Sequence, residues 1–138
     1  MTAPVIHPDV AALGILLGTW VGQGHGTYPT VEPFDYDETV SLSHVGKPFL
    51  AYTQRTFHLE ERQPLHAEAG FFRLARPDWA ELVVSHPSGV VEVQEGTFDG
   101  SSIRLRSRVV ACTGSAKDVT AIERDIDVHG DQISYTLR

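Results

Sequence analysis

The chain has 138 residues, enough for one domain with a real core. Hydrophobic residues are 41% and charged residues 21%, a globular balance that excludes a disordered polymer. The net charge of −7 argues against nucleic acid and anionic membrane as partners, since both need a basic face.

The first segment, Met1 to Asp9, has no basic start followed by a long apolar run. Neither a signal peptide nor a membrane span is expected, and the cytoplasm is the expected location. The single cysteine, Cys112, excludes a disulfide framework and fits a reducing compartment. Asp9 then reads as a cap, Val10–Leu17 as a short apolar helix and Gly18 as its stop. Such a helix is expected to pack as a lid or plug on one end of the fold.

The stretch Gly18 to Thr30 reads as a strand. Alternation puts Trp20, Gly22, Gly24, Gly26 and Tyr28 on one face and Thr19, Val21, Gln23, His25 and Thr27 on the other. Three glycines on one face pack nothing and weaken a strand. Two readings follow: a flat gap where a broad ligand lies against the strand beside Trp20, or tolerated glycines at a bend or bulge.

Period two continues almost to the end. Phe34–Leu42 sets Phe34, Tyr36, Val40 and Leu42 against Asp35, Asp37, Thr39 and Ser41. Strands follow at Phe49–His58, Leu65–Leu74, Trp79–Ser85, Val90–Thr97, Ser102–Val110, Val119–Val128 and Gln132–Leu137. Polar turns separate them, such as His86–Gly89 and Asp99–Gly100. The absence of βαβ alternation excludes a doubly wound sheet. The class is all-β, a sandwich or an up-and-down barrel, in a single domain spanning 1–138.

The common catalytic motifs are missing: no Gly-x-Ser-x-Gly elbow, no P-loop, no His-Glu-x-x-His. No two histidines stand at a metal-site spacing on one strand. His7, His25, His58 and His129 read as solvated, and His44 and His86 as turn or capping residues. His66 shares a face with Glu68, Gly70 and Phe72, so it points inward, satisfied by Glu68 or acting as a ligand. Arg104, Arg106 and Arg108 read as an outer face paired with carboxylates.

Gly18-x-Trp20-x-Gly22-x-Gly24 resembles the Gly-x-Trp-x-Gly-x-Gly signature of the nitrobindins. The similarity continues through Tyr28–Thr30, Gly46–Pro48, Ala51–Gln54, Leu65–Glu68, Gly70–Phe71, Ser85–Gly89 and Lys117–Ala121. It implies an antiparallel up-and-down β-barrel of about nine to ten strands, similar to lipocalins and fatty-acid-binding proteins. It also implies haem b at the barrel mouth, nitric oxide binding and isomerisation of peroxynitrite to nitrate. By the same resemblance Thr30, His66 and Lys117 are expected cofactor contacts, with Lys117 a propionate partner. The family's axial histidine follows the strand that begins here at Gln132, and no histidine follows His129. The expectation is therefore no protein ligand to iron, doubtful haem binding and impaired activity. Incomplete closure of the barrel invites dimerisation through exposed edges. The alternatives are a non-catalytic barrel for an apolar small molecule and an inactive member of the family.

Overall fold

A computed structural model describes residues 3–28 and 31–138. Nine strands follow one short helix: β1 Gly18–Tyr28, β2 Val31–Ser43, β3 Leu50–His58, β4 Pro64–Arg76, β5 Trp79–His86, β6 Val90–Phe98, β7 Ser102–Cys112, β8 Glu123–His129 and β9 Gln132–Leu137. Each pairs antiparallel with the next, in the order β1 to β9, so the sheet curls into a nearly closed up-and-down barrel with β1 and β9 at its edges. The expected fold class stands.

Alternation sets what faces inward. On β2 to β6 the even positions are inside: Leu42, Leu50, Tyr52, Gln54, Phe72, Leu82, Val84, Val90, Glu92 and Phe98 are all buried. On β7 the odd positions Ile103 and Leu105 take over, and β8 returns to even with Arg124 and Val128. The outer face of β7 carries the arginines. Arg104 pairs with Asp127 at 2.8 Å and Arg108 with Glu95 at 2.9 Å, as an outer ladder should.

The expected short helix is present and closes one end, but its cap is not Asp9. It is a 3-10 helix over Pro8–Leu16, and His7 caps it by accepting the Asp9 N–H at Nδ1, 3.1 Å away. The reason lies in the spacing of Val10, Leu13 and Leu16. Three residues per turn stack positions i and i+3 on one face, so all three are buried together. Burying each such side chain contributes about 1.5–3 kcal/mol. They join Leu42, Leu50, Phe72, Leu82, Ile103 and Leu105 in one core.

A second correction concerns the strand expected from Val119. Pairing of β7 with β8 covers Ser102–Arg106 against Glu123–Asp127. Ser107 N–H donates to the Ile122 carbonyl at 3.0 Å, and the Ser107 hydroxyl accepts from Ile122 N–H at 3.0 Å. The serine side chain thus takes the next ladder position, and residues 113–122 form a loop. The alternating connections put this loop and the turns after β3 and β5 at one end of the barrel. The helix lies at the other. The core is therefore apolar near the helix and increasingly polar toward the loop end.

Candidate functional site

The unpaired seam between β1 and β9 opens into a cavity of about 350 Å³. That lies in the range of small-molecule pockets. Trp20, Val40, Leu42, Phe72, Leu82, Ile126 and Ile133 supply apolar walls. The Trp20 indole N–H donates to the Leu16 carbonyl at 2.8 Å, which pins β1 to the end of the helix. Trp20 therefore forms a wall of the cavity as well as a plug.

The signature glycines divide into two kinds. A Cβ on Gly22 would meet nothing within 4 Å, and Gly22 lines the cavity. A Cβ on Gly24 would come within 2.3 Å of the Tyr36 ring, and one on Gly26 within 2.4 Å of the Phe34 ring. The β1–β2 register puts each ring opposite its glycine. So the flat gap expected over three glycines is open at Gly22 alone, and aromatic rings of β2 cover the other two. Gly18, the first signature glycine, starts β1 with a φ of 125° that disfavours other residues.

The cavity has a polar side. Tyr135 donates to Glu38 Oε2, and Gln54 Nε2 donates to the Tyr135 hydroxyl at 3.0 Å. Burial, followed by the Glu38 carboxylate, holds the Tyr135 phenol well above its ordinary range.

Beyond Tyr52 and Arg124 lies a buried charged layer. Arg124 Nη1 donates to Glu68 Oε1 at 2.7 Å and its Nη2 to Glu92 Oε2 at 2.7 Å. Tyr52 donates to Glu68 Oε1 at 2.5 Å, and Gln94 to Glu92 Oε1 at 2.8 Å. His86 bonds Glu92 through Nε2 and faces His66 Nε2 through Nδ1 at 2.9 Å. Side-chain exposure is 0% for Glu92, 2% for Glu68, 6% for Arg124 and 7% for His86, against 40% for His66. His66 is thus the gate of the layer.

Burial alone would raise the Glu68 carboxyl. The His66 hydrogen bond and the Arg124 charge outweigh it and hold Glu68 well below the ordinary carboxylate range. Glu92 is held down against burial in the same way, by His86 and Arg124. Arg124 is pushed up despite burial, because two carboxylates face it. The Tyr52 phenol is raised by burial and then by Glu68.

Of the expected contact residues, Thr30 lies outside the described residues. His66 shares the inner face of β4 with Glu68, as its spacing implied, yet neither His66 nor Lys117 is on the cavity wall. Lys117 is exposed in the loop after β7. His44 does serve its turn, accepting from Gly46 N–H at 3.1 Å, and His58, expected only as solvated, accepts from Glu61 N–H at 3.1 Å. His86 does open its turn, its carbonyl accepting from Gly89 N–H at 3.1 Å, but its ring lies in the charged layer instead of capping the turn. Glu38, Tyr52, Glu92, Arg124 and Tyr135 were missed. Their signal was polar residues at inward positions of otherwise apolar alternations, as in Val90-Val-Glu92-Val-Gln94.

A family model described as "THAP4-like, heme-binding beta-barrel domain" matches residues 9–138. The chain belongs to this family, the nitrobindins. A relative named peroxynitrite isomerase 2 from Mycobacterium marinum is 48% identical over 137 residues, covering 96% of this chain and 85% of that protein. One named peroxynitrite isomerase from Nocardia farcinica is also 48% identical, covering 96% and 82%. The crystal structure of Rv2717c from M. tuberculosis superposes with a TM-score of 0.89 at 44% identity, covering 96% of this chain and 87% of that one.

The residues of the seam fit a flat nitrobindin ligand in their walls. The lining is apolar around Trp20, and Gly22 leaves the strand bare on one side. For the iron they offer little. Among the described residues the cavity lining holds one imidazole, His129, which is exposed beside the β8–β9 turn.

Proposed function

We propose that this nitrobindin-family chain binds haem b in the cavity beside Trp20 and acts on nitric oxide and peroxynitrite, isomerising the latter to nitrate. The observation that carries the reading is the apolar cavity open at Gly22, within a barrel whose relatives are named peroxynitrite isomerases. When bound, the haem supplies the iron chemistry; the protein supplies position and surroundings. Trp20, Leu42, Phe72 and Ile133 would bury the ring and exclude water. Glu38 and Tyr135 would present a hydrogen-bonded carboxylate and phenol to it. The exposed single thiol, Cys112, suits the reducing cytoplasm.

A second reading is favoured by the cavity lining, whose one imidazole among the described residues, His129, is exposed: a barrel that holds a planar apolar molecule without catalysis. Hemin titration separates the two. Saturable one-to-one uptake with a Soret band supports haem, and weak linear partitioning removes it. The position is tested by two variants. Gly22→Leu fills the cavity and should abolish uptake. If Lys117→Ala abolishes it and Gly22→Leu does not, haem sits at the loop end of the barrel.

A further inference from the structure

The loop end of the barrel holds a second constellation that the cavity does not use. His66 Nε2 and His86 Nδ1 stand 2.9 Å apart, and Glu68 Oε2 lies 3.5 Å from the first and 3.4 Å from the second. Three metal-ligating atoms thus form a nearly equilateral triangle. Their assembly is a product of the sheet. His66 and Glu68 are two apart on one face of β4. The β4–β5 register, with Ala69 opposite Ser85, brings His86 across from Glu68.

The triangle has the size a metal ion needs. First-row divalent ions bond imidazole nitrogen and carboxylate oxygen at about 2.0–2.2 Å. An ion about 2.1 Å from all three atoms stands about 0.9 Å out of their plane, with ligand–ion–ligand angles of about 90–110°. The separations of the three ligand atoms already suit such an ion. Two histidines and one carboxylate on one side of an ion leave its other side open.

We propose that His66, His86 and Glu68 form a binding site for a divalent first-row transition-metal ion, with at least one coordination position left for water. The surroundings of the triad support this. Glu92 accepts at His86 Nε2, which puts the imidazole proton there and leaves the Nδ1 lone pair facing the triangle. Arg124 and Gln94 hold Glu92 in place. Tyr52 and Arg124 Nη1 donate to Glu68 Oε1, while Oε2 faces the histidines and takes only a long bond from Arg124 Nη2 at 3.3 Å.

Charge points the same way. Glu68 and Glu92 carry two buried negative charges against the one positive charge of Arg124. A buried excess of negative charge is costly unless a proton or a cation offsets it. The two facing imidazole nitrogens also need something between them, either a hydrogen or an ion. His66 is part-exposed, so the ion has a path in from solvent.

The site is tested on the full chain, stripped with a chelator and without added hemin, so the outcome does not depend on the haem reading. Co²⁺ is titrated while its visible d–d absorption is followed, and Zn²⁺ is then used to displace it. The expected result is one saturable site per chain and loss of the band on adding Zn²⁺. His66→Ala should weaken affinity at least about tenfold. Because His66 is only part-buried, that variant should still fold with a cooperative melt, and Zn²⁺ should raise the melting temperature of the native chain alone. His25→Ala and His58→Ala should leave binding unchanged. Absence of a saturable band, or binding that survives His66→Ala undiminished, would overturn the proposal.

Discussion

Replacing Arg124 with methionine is the sharpest test of the charged layer. The guanidinium bridges Glu68 and Glu92, and all three side chains are almost wholly out of water. Arg124→Met keeps most of the volume and removes the charge, leaving two carboxylates facing each other in the core. Breaking a buried pair in this way costs about 3–5 kcal/mol. For a domain of this size each kcal/mol moves the melting temperature by about 3–4 °C, so a drop of about 10–18 °C is expected. The pH dependence should invert as well. In the native protein Glu68 and Glu92 are held below their ordinary values, so their contribution is full above the unfolded carboxyl range and is lost as pH falls. In the variant the two carboxyls are raised instead, and protonation relieves the repulsion. Its melting temperature should therefore climb between pH 8 and pH 5 while that of the native chain does not. Circular-dichroism melts across that range decide the matter. A loss under about 3 °C that is flat with pH would refute the buried network.

Other outcomes follow from the same geometry. Gly22→Ala should leave stability within about 1 kcal/mol, since its Cβ meets nothing, whereas Gly96→Ala drives a Cβ to 1.6 Å from the Arg104 carbonyl and should cost several times more in a denaturant titration. Tyr52 and Tyr135 are raised above the ordinary phenol range, so their contribution is full below pH of about 10 and is lost as pH rises, at up to about 1.4 kcal/mol per unit for each; urea midpoints at pH 9 and 11 test it. Trp20→Phe removes the bond to the Leu16 carbonyl and should cost about 1 kcal/mol with little change in m-value.

Much of the barrel was readable because its strands alternate cleanly. Phe34, Tyr36, Val40 and Leu42 fall on one face in the sequence; in the structure Val40 and Leu42 join the core while Tyr36 and Phe34 lie over Gly24 and Gly26, and the turns at His86–Gly89 and Asp99–Gly100 mark real reversals. The short helix was readable too, but its type and start were not: Val10, Leu13 and Leu16 fit either an α-helix or a three-residue repeat, and Pro8 with the His7 cap favours the tighter one. The site was harder for a different reason. Glu92 and Arg124 are 32 positions apart, and each looks like an error in its own strand until the register brings them together. His66 and His86 never share a strand, so no local spacing announces them. The signature glycines were visible, but only the register shows that Tyr36 and Phe34 cover two of them.

Haem binding at this site requires an open, apolar cavity beside Trp20 that accepts a planar ligand. Hemin titration followed by Trp20 fluorescence, run in parallel on the native chain and Gly22→Leu, tests this directly; Trp79→Phe in both removes the other indole signal. The expected result is saturable one-to-one quenching in the native background and none in the filled variant. Linear, unsaturable quenching of equal size in both would contradict it.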